Sequence, residues 1–207
     1  MNFKIPPIYP IIDPQISPRP IKALVEELAR AGVRLVQLRE KKMSSRELFR
    51  DAQELLELSR SYRMTIIVND RADIAWLTGA QGVHLGQEDL PLAEVRKILG
   101  PSKIIGCSTH NLDQALEAQR STADYVAIGP IYATASKENP DPIVEWNDLK
   151  KIRQKVVKPL VAIGGITTKN AGDLFDLGID SVAVIRDVLC APDIGGKIEE
   201  FLKLAAH

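Results

Sequence analysis

The sequence predicts an α/β protein, a single (β/α)8 TIM barrel spanning residues 1–207, and three observations predict it. Eight short apolar runs recur along the chain, segments of helical period separate them, and 207 residues suit eight such units in one domain. An open flavodoxin-like sheet, the alternative arrangement, would need only about five or six strands.

The runs are IYPII (8–12), RLVQLR (34–39), TIIV (65–68), GVHL (82–85), KIIGC (103–107), YVAIG (125–129), PLVAIG (159–164) and SVAVI (181–185). Most are apolar at consecutive positions, as strands covered on both faces by helices must be. Between them lie PIKALVEELARAG, SSRELFRDAQELLELSRSY and NLDQALEAQRS, whose apolar residues recur at three and four with charge on the other face. They read as one-sided surface helices. No Ser/Gly/Pro-rich linker interrupts the alternation, and no repeat of solenoid length is present.

Composition narrows the function classes. Lys plus Arg number 27 and Asp plus Glu number 27, so no global field holds a polyanion, and nucleic acid is not an expected partner. The two cysteines, Cys107 and Cys190, lack a CxxC or histidine pairing and read as reduced core residues of a cytoplasmic protein. The N-terminal MNFKIPPIYPIID has three prolines and no long apolar stretch, so neither a signal peptide nor a membrane anchor is expected there.

Ligand sites on parallel α/β folds lie beyond the C-terminal ends of the strands, so those ends carry the chemistry. After the second run, QLREKK sets Gln37, Arg39 and Lys41 at alternate positions, which an extended backbone points the same way. An amide, a guanidinium and an ammonium together suit a phosphate or diphosphate, or else are solvated charges at a helix start. TIIV stops at Asn69-Asp70, and GVHL leads into GQED, ending in Asp89. Each can be read as a helix cap, with Pro91 opening a helix behind Asp89. Taken together, two carboxylates from neighbouring strands can reach a common point, and a cation such as Mg²⁺ resolves their repulsion. His84 reads as a core residue.

Further strand ends extend the pattern. In GCSTH, Ser108 offers a hydroxyl and His110 a proton carrier, while capping of a helix near Asn111 explains Ser108 and Thr109 equally well. GPIYATASKENPDP, residues 129–142, exceeds a plain connection and reads either as a binding lid bearing Thr134, Ser136 and Lys137 or as a surface insertion. GGIT, residues 164–167, lets backbone N–H groups approach an anion, and the loops after the seventh and eighth strands are this fold's recurrent phosphate site.

In order, QLREK, ND, GQED, GxSTH, GPIYxTxSK and GGIT resemble the thiamine phosphate synthase family over essentially the whole chain. The resemblance implies condensation of 4-amino-2-methyl-5-hydroxymethylpyrimidine diphosphate with a thiazole phosphate, giving thiamine phosphate and diphosphate with Mg²⁺. It assigns the pyrimidine diphosphate to Gln37, Leu38, Arg39, Glu40, Lys41, Asn69, Ser108 and Lys137, with Ser108 and Lys137 catalytic. It assigns Mg²⁺ to Asp70 and Asp89, and the thiazole phosphate to Thr134, Ala135, Ser136, Gly165, Ile185 and Arg186. The implied partners are small molecules, with no membrane and with a homo-oligomer open. Two departures stand out. Ser136 replaces a frequent Thr, and Arg186-Asp187 stands where the family usually has Ser and a small residue. Arg186 either strengthens the phosphate grip or pairs with Asp187 and narrows the pocket. Alternatives are a thiazole tautomerase of the same superfamily, using His110, a non-catalytic regulator, and another phosphate-binding barrel of the tryptophan-pathway kind. None of these explains the paired aspartates.

Overall fold

A computed structural model describes residues 4–134 and 141–206. The chain alternates from its first strand onward: β1 (Ile8–Ile12), α1 (Ile21–Arg30), β2 (Leu35–Leu38), α2 (Ser45–Tyr62), β3 (Thr65–Asn69), α3 (Ala72–Thr78), β4 (Gly82–Leu85) and α4 (Leu92–Leu99). It continues with β5 (Ile104–Thr109), α5 (Leu112–Arg120), β6 (Tyr125–Ile128), α6 (Trp146–Lys155), β7 (Leu160–Ile163), α7 (Ala171–Asp176), β8 (Ser181–Val184), α8 (Arg186–Leu189) and α9 (Ile194–Leu204). All neighbouring strands are parallel, and Ile8 pairing with Val182 closes the sheet into an eight-stranded barrel. The eight apolar runs of the sequence are these eight strands. No described helix is long and apolar enough to cross a membrane.

Period-two alternation divides the core in two. Inside the barrel pack Tyr9, Ile11, Leu35, Ile67, Tyr125, Ala127, Val161 and Ala183. Between barrel and helices lies the larger cluster, where Leu24 and Leu28 of α1 meet Val36, Leu38 and Ile12 of the neighbouring strands. Leu38 therefore faces away from the barrel axis, fully buried under the helices.

Register places Asn69 beside His84, His84 beside Gly106 and Gly106 beside Tyr125 in one row across four strands. A Cβ on Gly106 would lie 2.0 Å from the Tyr125 ring and 2.5 Å from His84 Nδ1. The absent side chain is what lets the two rings stack across it, with centroids 5.5 Å apart.

One expectation is corrected. Cys107 is buried, its thiol pushed up to about 11 mainly by burial, but Cys190 is exposed at the end of α8 rather than in the core. Four residues make too short a helix to cover it.

Candidate active site

A cavity of about 1110 Å³ opens at the C-terminal ends of the strands. Its wall at β2 is formed by Gln37, Arg39 and Lys41, so the three alternate side chains do point together. Each already has a partner: Gln37 Nε2 donates to Tyr9 Oη at 3.1 Å, Arg39 Nη1 pairs with Asp13 at 2.8 Å, and Lys41 Nζ lies 3.5 Å from Asp70 Oδ2. Asp13, which holds Arg39 without itself lining the cavity, was missed by the sequence reading. IYPIID ends in a carboxylate after an apolar run, the same signal as TIIVND.

Leu38 and Glu40 from the same motif do not border the cavity, because alternation turns them to the opposite face. Leu38 joins the helix-side core. Glu40 buries both carboxylate oxygens with no N–H or O–H partner. Burial first, then the nearby Asp51, Asp13 and Glu47 charges, push its carboxyl up to about 7. Glu40 and Asp51 lie within hydrogen-bonding reach. Both are acceptors when ionised, so only a shared proton joins them.

Asn69 and Asp70 line the cavity at the end of β3, and Asp89 lines it from the loop after β4. Asp70 adopts φ +62°, a left-handed conformation that Asp tolerates better than most residues, and its N–H donates to His84 O at 2.8 Å. Capping does not explain either carboxylate. Arg71 flanks α3 with no side-chain cap, Pro91 flanks α4, and Asp89 Oδ2 instead accepts from Gly86 N–H at 2.6 Å. The two carboxyls lie within hydrogen-bonding reach of each other. Burial raises the Asp70 carboxyl above the ordinary carboxylate value, Lys41 opposes that, and Asp89 adds to it. Two acidic groups held this closely, with oxygen donors only, fit a small divalent cation, which typically takes one or two carboxylates and completes its shell with water and phosphate.

Ser108, in β5, and His110, just after it, border the cavity. Neither Ser108 nor Thr109 caps the next helix: Asn111 does so, accepting from Gln114 N–H at 2.9 Å. Thr109 instead donates to Ala127 O, while Ser108 Oγ lies 2.8 Å from His84 Nε2. His84, read as core, is buried yet also lines the cavity floor, and burial pushes its imidazole down to about 4. His110 Nδ1 lies 2.6 Å from Gly129 O and Nε2 3.5 Å from Asp141.

Thr134, Gly165, Ile185 and Arg186 line the opposite side. Gly164 and Gly165 have φ +100° and +65°, and a Cβ on either would strike Pro130 or the Ala133 carbonyl. The glycine pair therefore seats the start of the β6 loop as well as leaving backbone open to a ligand. Asp187 accepts from Thr168 N–H at 3.0 Å and, among the described residues, has no ion pair with Arg186, which stands exposed at the cavity rim. Ala135, Ser136 and Lys137 lie outside the described residues.

A family model for thiamine monophosphate synthase matches residues 8–188. The chain belongs to that family. A thiamine-phosphate synthase of Koribacter versatilis (strain Ellin345) is 44% identical over 208 residues, covering 98% of this chain and 97% of the relative. One from Clostridium botulinum (strain Kyoto / Type A2) is 46% identical over 176 residues, 85% of this chain and 86% of its own. Among solved structures, a thiamine phosphate pyrophosphorylase from Pyrococcus furiosus superposes with TM-score 0.86 at 34% identity, over 97% of this chain and 95% of that one.

Proposed function

We propose that this chain condenses 4-amino-2-methyl-5-hydroxymethylpyrimidine diphosphate with a thiazole phosphate, forming thiamine phosphate and releasing diphosphate. Family membership supports the reaction. The observation that carries it is the Asp70–Asp89 pair sharing one cavity with Lys41 and Arg39. The reaction is an alkyl transfer: the bond from the pyrimidine methylene carbon to the diphosphate oxygen breaks, and the thiazole nitrogen pair forms the new bond. Negative charge grows on the leaving oxygens, so the site must favour the separated charges over the intact substrate.

Asp70 and Asp89 are the residues to hold Mg²⁺, which when bound neutralises and orients the diphosphate. Lys41 and Arg39 shift from their carboxylate partners toward the incoming phosphates. In this reading Gln37 and Asn69 orient the pyrimidine ring, and Ser108 and Lys137 donate to the leaving group. In the same reading Thr134, Gly165 and Arg186 take the thiazole phosphate, and Arg186, with no ion pair to Asp187, is open to an anion. The small phosphorylated substrates make a cytoplasmic place of action part of the same reading.

Incubating the purified chain with both substrates, with and without Mg²⁺, tests it by chromatography. Thiamine phosphate forms only with the metal; absence of product in both reactions refutes the function. Asp89→Ala and Lys137→Ala each lower turnover by roughly a hundred- to a thousandfold, the usual cost of removing one fixed stabiliser of developing charge. Rates within about threefold of the parent at saturating Mg²⁺ remove those roles.

A further inference from the structure

A line of hydrogen bonds crosses the barrel interior beneath the cavity. Gln37 Nε2 donates to Tyr9 Oη at 3.1 Å, and Tyr9 Oη lies 3.0 Å from Tyr125 Oη. Tyr125 Oη lies 2.8 Å from His84 Nδ1, and His84 Nε2 lies 2.8 Å from Ser108 Oγ. Tyr9, Tyr125 and His84 are 1%, 0% and 5% exposed, so bulk water does not share these bonds. The chain thus joins residues at two walls of the substrate cavity through Tyr9 and Tyr125, which do not line it, and His84 on its floor.

Its donor order follows from one end. An amide nitrogen only donates, so the Tyr9 oxygen accepts from Gln37 and its own hydrogen goes to Tyr125. Tyr125 then gives its hydrogen to Nδ1 of His84. A neutral imidazole carries one N–H, which therefore sits on Nε2 and is donated to Ser108 Oγ. The reverse order would leave the Tyr9 hydroxyl hydrogen buried without an acceptor, a state that folded proteins avoid. Gly106 makes the arrangement possible, since any side chain there would separate Tyr125 from His84.

We propose that this relay makes Ser108 a committed donor: with its oxygen occupied by His84 Nε2–H, its own hydrogen points into the cavity and is given to the diphosphate. Tyr9, Tyr125 and His84 are positioning residues. The inference rests on the reading that Ser108 faces the leaving group, and its test separates the two.

The ¹⁵N spectrum of histidine-labelled full-length chain reads the tautomer directly. Only His84, His110 and His207 contribute, and a His84→Gln sample assigns the signal. The relay requires His84 to show a bare Nδ1 and a protonated Nε2; the opposite tautomer overturns it whatever the activity. Tyr125→Phe keeps the ring and removes the hydroxyl. It lowers kcat by roughly ten- to a hundredfold, the range of one hydrogen bond to a charged group. In a Ser108→Ala background the same substitution has no further effect, because nothing remains to be positioned. An equal loss from Tyr125→Phe in both backgrounds makes the tyrosine merely structural and overturns the relay. If the parent forms no thiamine phosphate, the proposed function falls, and the tautomer alone decides for or against the hydrogen-bond order.

Discussion

Asp70 is where backbone, charge and proposed chemistry meet. Its φ of +62° suits Asn as well as Asp, so Asp70→Asn leaves the turn intact while removing one of two crowded carboxylates. Because the folded protein holds the Asp70 carboxyl above its ordinary value, ionising it opposes folding at neutral pH. The substitution therefore leaves the thermal midpoint at pH 7 unchanged or raised, while Mg²⁺-dependent turnover collapses. A fall of several degrees in the midpoint contradicts that balance. Glu40 gives a second residue-scale prediction. Its folded value of about 7 exceeds the ordinary 4.5, so the folded chain keeps a proton that the unfolded chain releases between those two values. This contribution to stability is full below about 4.5, declines as pH rises, and is gone above about 7. Glu40→Gln flattens that stretch of the melting profile from pH 4.5 to 7 and raises the midpoint at pH 8; an unchanged profile removes the shared-proton reading. The sequence placed Glu40 in a substrate motif. Alternation along an extended chain, which aligned Gln37, Arg39 and Lys41, is also what turned Glu40 to the opposite face, toward Asp51.

Among the elements, α2 shows how strand-end chemistry is anchored by ordinary helix physics. Ser44 Oγ accepts from Glu47 N–H at 3.3 Å, and Glu47 returns a carboxylate oxygen to Ser44 N–H at 2.9 Å. This capping box sets the helix cap three residues after Lys41 and so limits where the QLREKK segment can travel. Ser44→Ala costs about 1 kcal/mol in chemical denaturation and leaves the KM for the pyrimidine substrate within twofold to threefold of the parent. A loss of turnover without a loss of stability assigns Ser44 to the site instead. The strands and the longer helices were legible because their periods of two and about 3.6 are written locally. The caps were legible only in part. Asp89, Ser108 and Thr109 are all good capping residues by type, yet Gly86, His84 and Ala127 hold them, partners that only the closed barrel supplies.

Across the whole molecule, barrel closure decides what sequence could not. Tyr9 and Tyr125 stand 116 residues apart and meet only because β1 and β6 face each other across the interior. Each looked like one more large residue in an apolar run, and His84 between them looked like core. Their polar atoms were the available signal, since a buried hydroxyl or imidazole must find a partner. The cavity itself was legible: every described residue that the motifs assigned, apart from Leu38 and Glu40, borders it. Their common location follows from fold geometry, which gathers strand ends without regard to sequence distance. The central claim is that oxygen atoms of Asp70 and Asp89 share one divalent ion that also meets the diphosphate. Crystals of the chain grown with Mn²⁺ and diphosphate, with data collected for anomalous scattering, test it most directly. A single peak bonded to both carboxylates and to diphosphate oxygens, at separations of about 2.0–2.2 Å for a small hard cation, is the predicted result. An ion held by neither carboxylate, or diphosphate seated away from Lys41 and Arg39, contradicts the account.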